Sequence, residues 1–493
     1  MSRSAHPAGP SHGHLLPGSE QPAPPPDLNA LNPLVWPAGS HRDGAGALVV
    51  AGLPAPALAA EHGTPALVLD TADLRRRARD WAEAFADGDV FYAGKAFLCT
   101  AVAAIVAEEG LGIDVCTSGE LAVALRAGVP AHRIALHGNN KSIAELTEAV
   151  TAGVGRIVLD SHQEIDRLVE IGRRAGRRPK VLVRVTVGVE AHTHEFIATA
   201  HEDQKFGFSL AAGQAAEAVA RALAAPELEL VGLHSHIGSQ IFDTAGFEVA
   251  AHRVVELLAQ IHTEHGRQLP EIDLGGGLGI AYVDGDDPQT PAEIARRLRV
   301  IVERECALAG LPVPRLAVEP GRAVIGPSMI TLYEVGTVKP IRLDGGGTRT
   351  YVSVDGGMSD NIRTALYGAD YTAVLANRAS TAPPARCRVV GKHCESGDVV
   401  VRDCWLPADV RPGDLLAVAA TGAYCHAMAS NYNKIARPPV IAVTAGQPRL
   451  VVRRESLRQL LANDVGFDPE PAPAHQPVSQ PAPAHPPVSQ PAG

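Results

Sequence analysis

Eight short apolar runs recur between residues 90 and 321: VFYAGK (90–95), GIDVCT (112–117), RIALHG (133–138), RIVLD (156–160), KVLVRVT (180–186), LVGLHSHIG (230–238), EIDLGGG (271–277) and RLAVEPG (315–321). Each is rich in Val, Ile and Leu and is bounded by glycine, proline or polar residues. Parallel strands covered on both faces read this way, as near-continuous apolar runs rather than strict alternation. Between them lie stretches such as SGELAVALRAG and HQEIDRLVEIGRRAG, with apolar residues at i, i+3 and i+4, the spacing of a helix with one buried face. Eight strands with helical crossovers predict an α/β fold, a (β/α)8 TIM barrel, over 64–328. A doubly wound open sheet is the other fold that the alternation permits.

After residue 328 the rhythm changes. ITLYEVGTVK, RTYVSVDGG, ARCRVVGK, DVVVRDCWLP and DLLAVAATG are strand-like runs separated by turn signals, without long helices. They predict an antiparallel β-domain over 329–465. The segment 31–63, with its apolar run GALVVAG, is expected to contribute to that domain. Residues 1–30 are rich in Pro, Gly, Ser and His, and 466–493 carry a tandem repeat, PAPAHQPVSQ then PAPAHPPVSQ. Such tracts bury too little apolar surface to offset the entropy of ordering, so both ends read as disordered tails.

The bulk numbers exclude several function classes. A net charge of −10 and a pI of about 6.1 argue against nucleic-acid binding, which needs a basic face. No apolar run approaches a membrane span, and the N-terminus lacks a signal-peptide core. Seven cysteines, at 99, 116, 306, 387, 394, 404 and 425, form no CxxC pair, which suits reduced thiols and a cytoplasmic location.

In a barrel of this kind, chemistry gathers at the C-terminal ends of the strands. The first run ends in Lys95. The sixth ends in His234, His236, Gly238 and Ser239, the seventh in Gly275, Gly276 and Gly277, and the eighth in Glu319, Pro320, Gly321 and Arg322. Three consecutive glycines suggest open backbone N–H groups for a phosphate, and Arg322 adds a guanidinium. Taken singly, the glycines read as a tight turn, Lys95 as a strand-end lysine in solvent and His236 as a hydrogen-bonded core histidine. Together, an amine, a phosphate cradle and a carboxylate describe a site for pyridoxal 5'-phosphate (PLP), without a metal. Burial and neighbouring cations are expected to lower the Lys95 pKa and make the amine a nucleophile. Glu319 would pair with the ring nitrogen, and His236 would lie against the ring face. A carboxylate at that nitrogen keeps the ring a strong electron sink, which favours loss of CO2 over the proton exchange of a racemase.

One stretch stands apart, GKHCESGD at 391–398, where Cys394 and Glu395 lie side by side among turn-forming residues. With FYAGKAF, GLHSHIGSQIFD, IDLGGGLGI, VEPGR and ATGAYCHAMASNYN, it resembles in order the motifs of the fold-type III PLP-dependent decarboxylases. The resemblance covers about 35–460. HTHEFIATAHEDQKFGF (192–208) is similar to the branch of that family that acts on diaminopimelate.

The resemblance implies a set of roles. Lys95 corresponds to the Schiff-base lysine and His236 to the histidine stacked on the cofactor. Ser239 and Gly275 to Gly277 correspond to phosphate ligands, and Glu319, in the Glu319–Pro320–Gly321–Arg322 motif, to the ring-nitrogen partner. Arg322 lies near both phosphate and substrate carboxylate. Arg363 and Tyr367, in RTALYGADY, correspond to substrate-carboxylate ligands, and Tyr424 to a residue touching cofactor and substrate. The family works as a homodimer with active sites shared between subunits. Cys394 would therefore enter the partner's barrel as the proton donor, and Glu395 would bind the distal ammonium of the substrate. The expected reaction is decarboxylation of meso-2,6-diaminopimelate to L-lysine and CO2. Decarboxylation of ornithine, arginine or a related basic amino acid is the alternative within the family. A binding-only relative should have lost Lys95 or Cys394, and both are present.

Overall fold

The computed structural model describes residues 23–188, 204–343 and 347–466. The tandem repeat, most of 1–30 and most of the 192–208 motif lie outside the described residues.

Eight parallel strands close on themselves: β1 (Asp89–Ala93), β2 (Gly112–Val115), β3 (Ile134–Leu136), β4 (Arg156–Leu159), β5 (Lys180–Thr186), β6 (Glu229–His234), β7 (Glu271–Asp273) and β8 (Arg315–Val318). Each pairs in parallel with the next, and β8 pairs with β1 to complete the ring. The eight apolar runs are these eight strands, so the barrel holds and the open sheet does not. Outward-facing strand residues such as Val90, Tyr92 and Ile113 join the surrounding helices in one large apolar core. Phe91, Ala135 and Ala317 form a separate small cluster, and Val158, Leu182 and Val231 another. These fill the barrel interior below the polar strand ends, as alternating side chains on neighbouring strands require.

Local chemistry sets where the helices begin. Thr117, directly after β2, caps Ser118–Arg126 by accepting the Glu120 amide at 3.2 Å. Ser161, after β4, caps His162–Ala175, which ends at the left-handed Gly176. Each cap satisfies helix-end donors that would otherwise be orphaned beside the strand.

The second domain is built on β9 (Met329–Arg342), β10 (Thr348–Val354), β11 (Ala373–Leu375), β12 (Pro384–Val390), β13 (Val399–Pro407), β14 (Leu415–Val418), β15 (Val440–Thr444) and β16 (Gln447–Val452). Most pairings are antiparallel, but β10 runs parallel to β12. GALVVAG does not enter this sheet. Its strand, Leu48–Val50, pairs with His41–Arg42 and Leu53–Pro54 in a separate three-stranded sheet, while its side chains pack under β9, β14 and β15. The segment that does enter is Ala66–Asp70, which lies between β9 and β15. Its all-buried sequence, ALVLD, has the look of a barrel strand, but its partners come from the far end of the chain. Residues from Ser456 form a short separate unit whose helix, Leu457–Leu461, is capped by Ser456 and Gln459.

Candidate active site

The C-terminal ends of the barrel strands carry a cluster of ionisable groups. Glu319, one residue past β8, is buried, and its Oε1 lies 2.9 Å from His137 Nε2 and 3.4 Å from His234 Nε2. His137 Nε2 is in turn 3.7 Å from Asp114 Oδ1. The two imidazoles meet edge to face with centroids 5.0 Å apart. Burial opposes the Glu319 charge, but His137 and His234 outweigh it and hold the carboxyl well below its ordinary range. For His137, burial is outweighed by Asp114 and Glu319, so its pKa rises. Burial takes His234 the other way, down to about 4, and lifts Asp114 to about 6. Asp273 is pushed well above the carboxylate range by burial and by the Glu319 charge, and its Oδ1 accepts the Gly275 amide at 2.8 Å. The shifts thus favour the ionised form of Glu319, the cationic form of His137, the neutral form of His234 and the protonated form of Asp273. None of Asp114, His137 or Asp273 stands out in the sequence, although each is a lone polar residue in or just after an apolar run.

Lys95 sits in the turn Gly94–Ala96 after β1 and is exposed at the mouth. The expected depression of its pKa is reversed. The protein packed around the mouth does disfavour the ammonium by desolvation, although the side chain itself is open, but Tyr424, Asp114, Cys116 and Glu319 more than offset it and raise the pKa above its usual value. The neighbours are acids, not cations, so the amine is positioned as an ammonium. His236 is shifted well below its ordinary pKa by burial and by the Lys95 and Arg184 charges. Its Nδ1 accepts the Gly276 amide at 3.1 Å, which makes the ring a neutral tautomer with the proton on Nε2.

The glycine triplet also differs from the expectation. Two of its three amides are engaged by the protein, Gly275 with Asp273 and Gly276 with His236. The glycines are needed for fit. A Cβ on Gly276 would lie 2.3 Å from the Glu319 carbonyl oxygen, and one on Gly277 would lie 2.3 Å from that of Gly238. Gly275 and Gly277 also have φ of +71° and +94°. Arg322 extends alongside, donating from Nη2 to Ser239 Oγ at 2.7 Å and from Nη1 to the Tyr282 hydroxyl at 2.5 Å. Its guanidinium carbon is 4.7 Å from the Tyr424 ring centroid. The Tyr424 amide donates to Ala96 O at 2.8 Å, which ties this loop of the second domain to the Lys95 turn.

Arg363 opens the short helix Arg363–Tyr367 and is buried. Its Nη1 donates to the Tyr371 hydroxyl at 2.6 Å, and its guanidinium lies 4.7 Å from the Tyr282 ring centroid. Tyr371 is thus a tyrosine hydrogen-bonded to Arg363; Tyr367, on the same helix, is half-buried. Cys394 and Glu395 lie in the turn of the second domain between β12 and β13. The Asp398 carboxylate organises their turn by accepting the Met358 amide at 2.6 Å and the His393 amide at 2.8 Å. Gly391 allows it, since a Cβ there would lie 2.2 Å from Asp398 Oδ2. Cys394 donates its amide to Asn433 Oδ1 at 3.2 Å and remains exposed, while Glu395 Oε1 accepts the Gly397 amide at 3.2 Å.

PLP fits these residues. Glu319 Oε1 and both ring nitrogens of His234 are buried without an aligned hydrogen-bond partner. A protonated ring nitrogen is the donor that Glu319 lacks, and the glycine-lined gap beside Arg322 and Ser239 accepts backbone and guanidinium contacts that a side chain would block.

Barrel, β-domain and strand-end groups together define the class, a PLP-dependent decarboxylase. Residues 71–326 match the family model of the pyridoxal-dependent decarboxylase, pyridoxal binding domain. The chain is 59% identical over 444 residues to the diaminopimelate decarboxylase of Mycobacterium tuberculosis, covering 89% of this chain and 99% of that one. It is 43% identical to that of Bacillus subtilis, covering 87% and 97%. The crystal structure of the diaminopimelate decarboxylase from M. jannaschii in complex with L-lysine superposes with a TM-score of 0.81 at 29% identity, over 87% of this chain and 98% of that one. The chain belongs to the diaminopimelate decarboxylase family.

Proposed function

We propose that this chain decarboxylates the D-configured centre of meso-2,6-diaminopimelate to give L-lysine and CO2, the last step of lysine biosynthesis, with PLP as cofactor. The observation that carries this reading is the buried Glu319 carboxylate, held anionic by His137 and His234 at the end of β8. When bound, the cofactor supplies an electron sink for the pair left behind as CO2 departs.

The chain's own residues set the rest. Lys95 anchors the cofactor aldehyde. Glu319 would hold the protonated ring nitrogen, and the neutral His236 would pack against the ring. Ser239, Arg322 and the turn of Gly275, Gly276 and Gly277 would hold the phosphate, with the Gly275 and Gly276 amides already engaged by Asp273 and His236 and with Pro320 and Gly321 setting the turn that brings Arg322 in. Arg363, Tyr367 and Tyr424 orient the substrate, with Arg363 on the remote carboxylate. A site built around a buried guanidinium rejects analogues that lack the matching anion. Ornithine and lysine have a single carboxylate, so with it at the reacting centre they leave Arg363 unmatched, which argues against the alternative of a basic-amino-acid decarboxylase.

Cys394 would hold the proton to be delivered to the substrate carbon once CO2 has left, and Glu395 would bind the distal ammonium, both in the barrel mouth of a second copy. Their exposed turn on the second domain, with the Cys394 side chain open to solvent, supports a homodimer with shared sites. A barrel over 64–328 and a β-domain over 329–465 suit this division of labour, with Ala66–Asp70 lent to the β-domain sheet and the residues from Ser456 set apart as a short unit. A cytoplasmic location is supported by seven free cysteines. No helix among the described residues is long and apolar enough to cross a membrane.

The test is release of CO2 and lysine by the PLP-loaded protein from meso-diaminopimelate, its LL isomer, ornithine, lysine and arginine. Turnover of the meso isomer alone is expected. Turnover of ornithine or arginine in its place would overturn the roles of Arg363 and Glu395.

A further inference from the structure

Three arginines converge on one carboxylate in the second domain, away from the residues assigned to the reaction. Arg349 on β10, Arg386 and Arg388 on β12, and Asp403 on β13 share one face of the sheet. The register sets this: Tyr351 pairs with Arg388, and Arg386 with Trp405. The opposite face carries Val352, Cys387, Val389 and Leu406 in the apolar core. On an outer face, arginines normally extend into water. Here Arg349 and Arg388 are each only 4% exposed.

Asp403 does not satisfy them. Arg349 Nη2 lies 3.5 Å from Asp403 Oδ1, Arg386 Nε 3.9 Å from it, and Arg388 Nη2 3.6 Å from Oδ2. None of these is a hydrogen bond. Nε and Nη2 of both Arg349 and Arg386 are buried without a hydrogen-bond partner, as is Asp403 Oδ1. Arg388 donates from Nε to the Arg402 carbonyl oxygen at 2.7 Å. Three guanidiniums against one carboxylate leave a local surplus of two positive charges. Burial makes such a surplus unfavourable unless an anion offsets it.

We propose that this face binds a small tetrahedral dianion, either inorganic phosphate or the phosphoryl end of a phosphomonoester. The charge of such a group, about −2 near neutral pH, matches the surplus. Its three or four oxygens suit forked donors approaching from neighbouring strands, the geometry in which arginine surpasses lysine. The site is separate from the cofactor's phosphate ligands, Arg322 and Ser239, which belong to the barrel.

The test titrates phosphate, and in a second arm glycerol 3-phosphate, into PLP-saturated protein by calorimetry at constant ionic strength. Saturable binding of one phosphate per chain is expected, weakened at least tenfold in the double variant Arg349→Gln/Arg386→Gln. Asp403→Asn removes the competing carboxylate and keeps all three arginines, so it is expected to bind several-fold more tightly. That variant decides the matter even if the double variant does not fold. Glycerol 3-phosphate binding as well as phosphate assigns the site to a phosphoryl end, and binding of phosphate alone assigns it to the free ion. No saturable binding to the wild-type protein, or binding unchanged or weaker in Asp403→Asn, overturns the proposal.

Discussion

Arg363→Gln tests the proposed specificity directly. The guanidinium is 6% exposed, hydrogen-bonded to Tyr371 at 2.6 Å, and flanked by the Tyr282 and Tyr371 rings at 4.7 and 5.5 Å. Burial disfavours its charge, but Tyr282, Tyr371 and Cys425 more than compensate, so it stays protonated across the working pH range. Glutamine keeps hydrogen-bonding capacity and much of the volume but has no charge for a carboxylate. Leaving one partner of a buried charge pair unmatched costs about 2–5 kcal/mol. That corresponds to a fall of roughly 30- to 5,000-fold in kcat/KM for meso-diaminopimelate. The lost cation–π contacts lower stability separately, by about 0.5–2 kcal/mol. Steady-state kinetics should therefore be paired with the visible absorbance of bound cofactor and with urea unfolding. Inhibition by L-lysine, which retains the remote carboxylate, should weaken by a similar factor, whereas a diamine without a carboxylate should bind as before. A kcat/KM within threefold of wild type, with cofactor retained, would refute the pairing.

Two other substitutions follow from the same geometry. Gly276→Ala places a Cβ 2.3 Å from the Glu319 carbonyl oxygen, so the backbone beneath the Glu319 carboxylate has to move; PLP retention on dialysis should fall by more than about tenfold, and unchanged retention would contradict the tight fit. Asp360 is buried, hydrogen-bonded to Tyr333 and the Gly357 amide, and its pKa is raised to about 7, chiefly by burial. The folded state thus keeps a proton that the unfolded chain releases near pH 4. The group's stabilising contribution is full below that pH and is lost as the pH rises to about 7, with a slope of at most about 1.4 kcal/mol per pH unit. Asp360→Asn should flatten the pH dependence of unfolding free energy across that window, and an unchanged slope would contradict the assignment.

The barrel was legible because its strands are buried on both faces and announce themselves as apolar runs cut by Gly and Pro. Ala66–Asp70 was not, since ALVLD has the same signature and nothing local says that its partners are β9 and β15. Lys95, His236 and Glu319 were readable as strand-end residues, and the structure brings all three to one mouth. Their electrostatics were not readable. The sign of the Lys95 shift depends first on Tyr424, from the second domain, then on Asp114 on the neighbouring strand and on Glu319, which the β8–β1 pairing brings round to it. The engagement of the Gly275 and Gly276 amides depends on the side chains of Asp273 and His236. Outward-facing arginines in RTY and ARCRV follow from strand alternation, but their convergence on Asp403 requires the β10–β12–β13 order.

The central claim, that each site draws on two chains, is tested most directly by mixing subunits. Lys95→Ala and Cys394→Ala homodimers should each be nearly inactive. After random exchange about half of the dimers are mixed, and one of their two sites combines an intact Lys95 with an intact Cys394 from the other chain, so about a quarter of wild-type activity should return. No recovery despite demonstrated subunit exchange would contradict the account and put both residues to work within one chain.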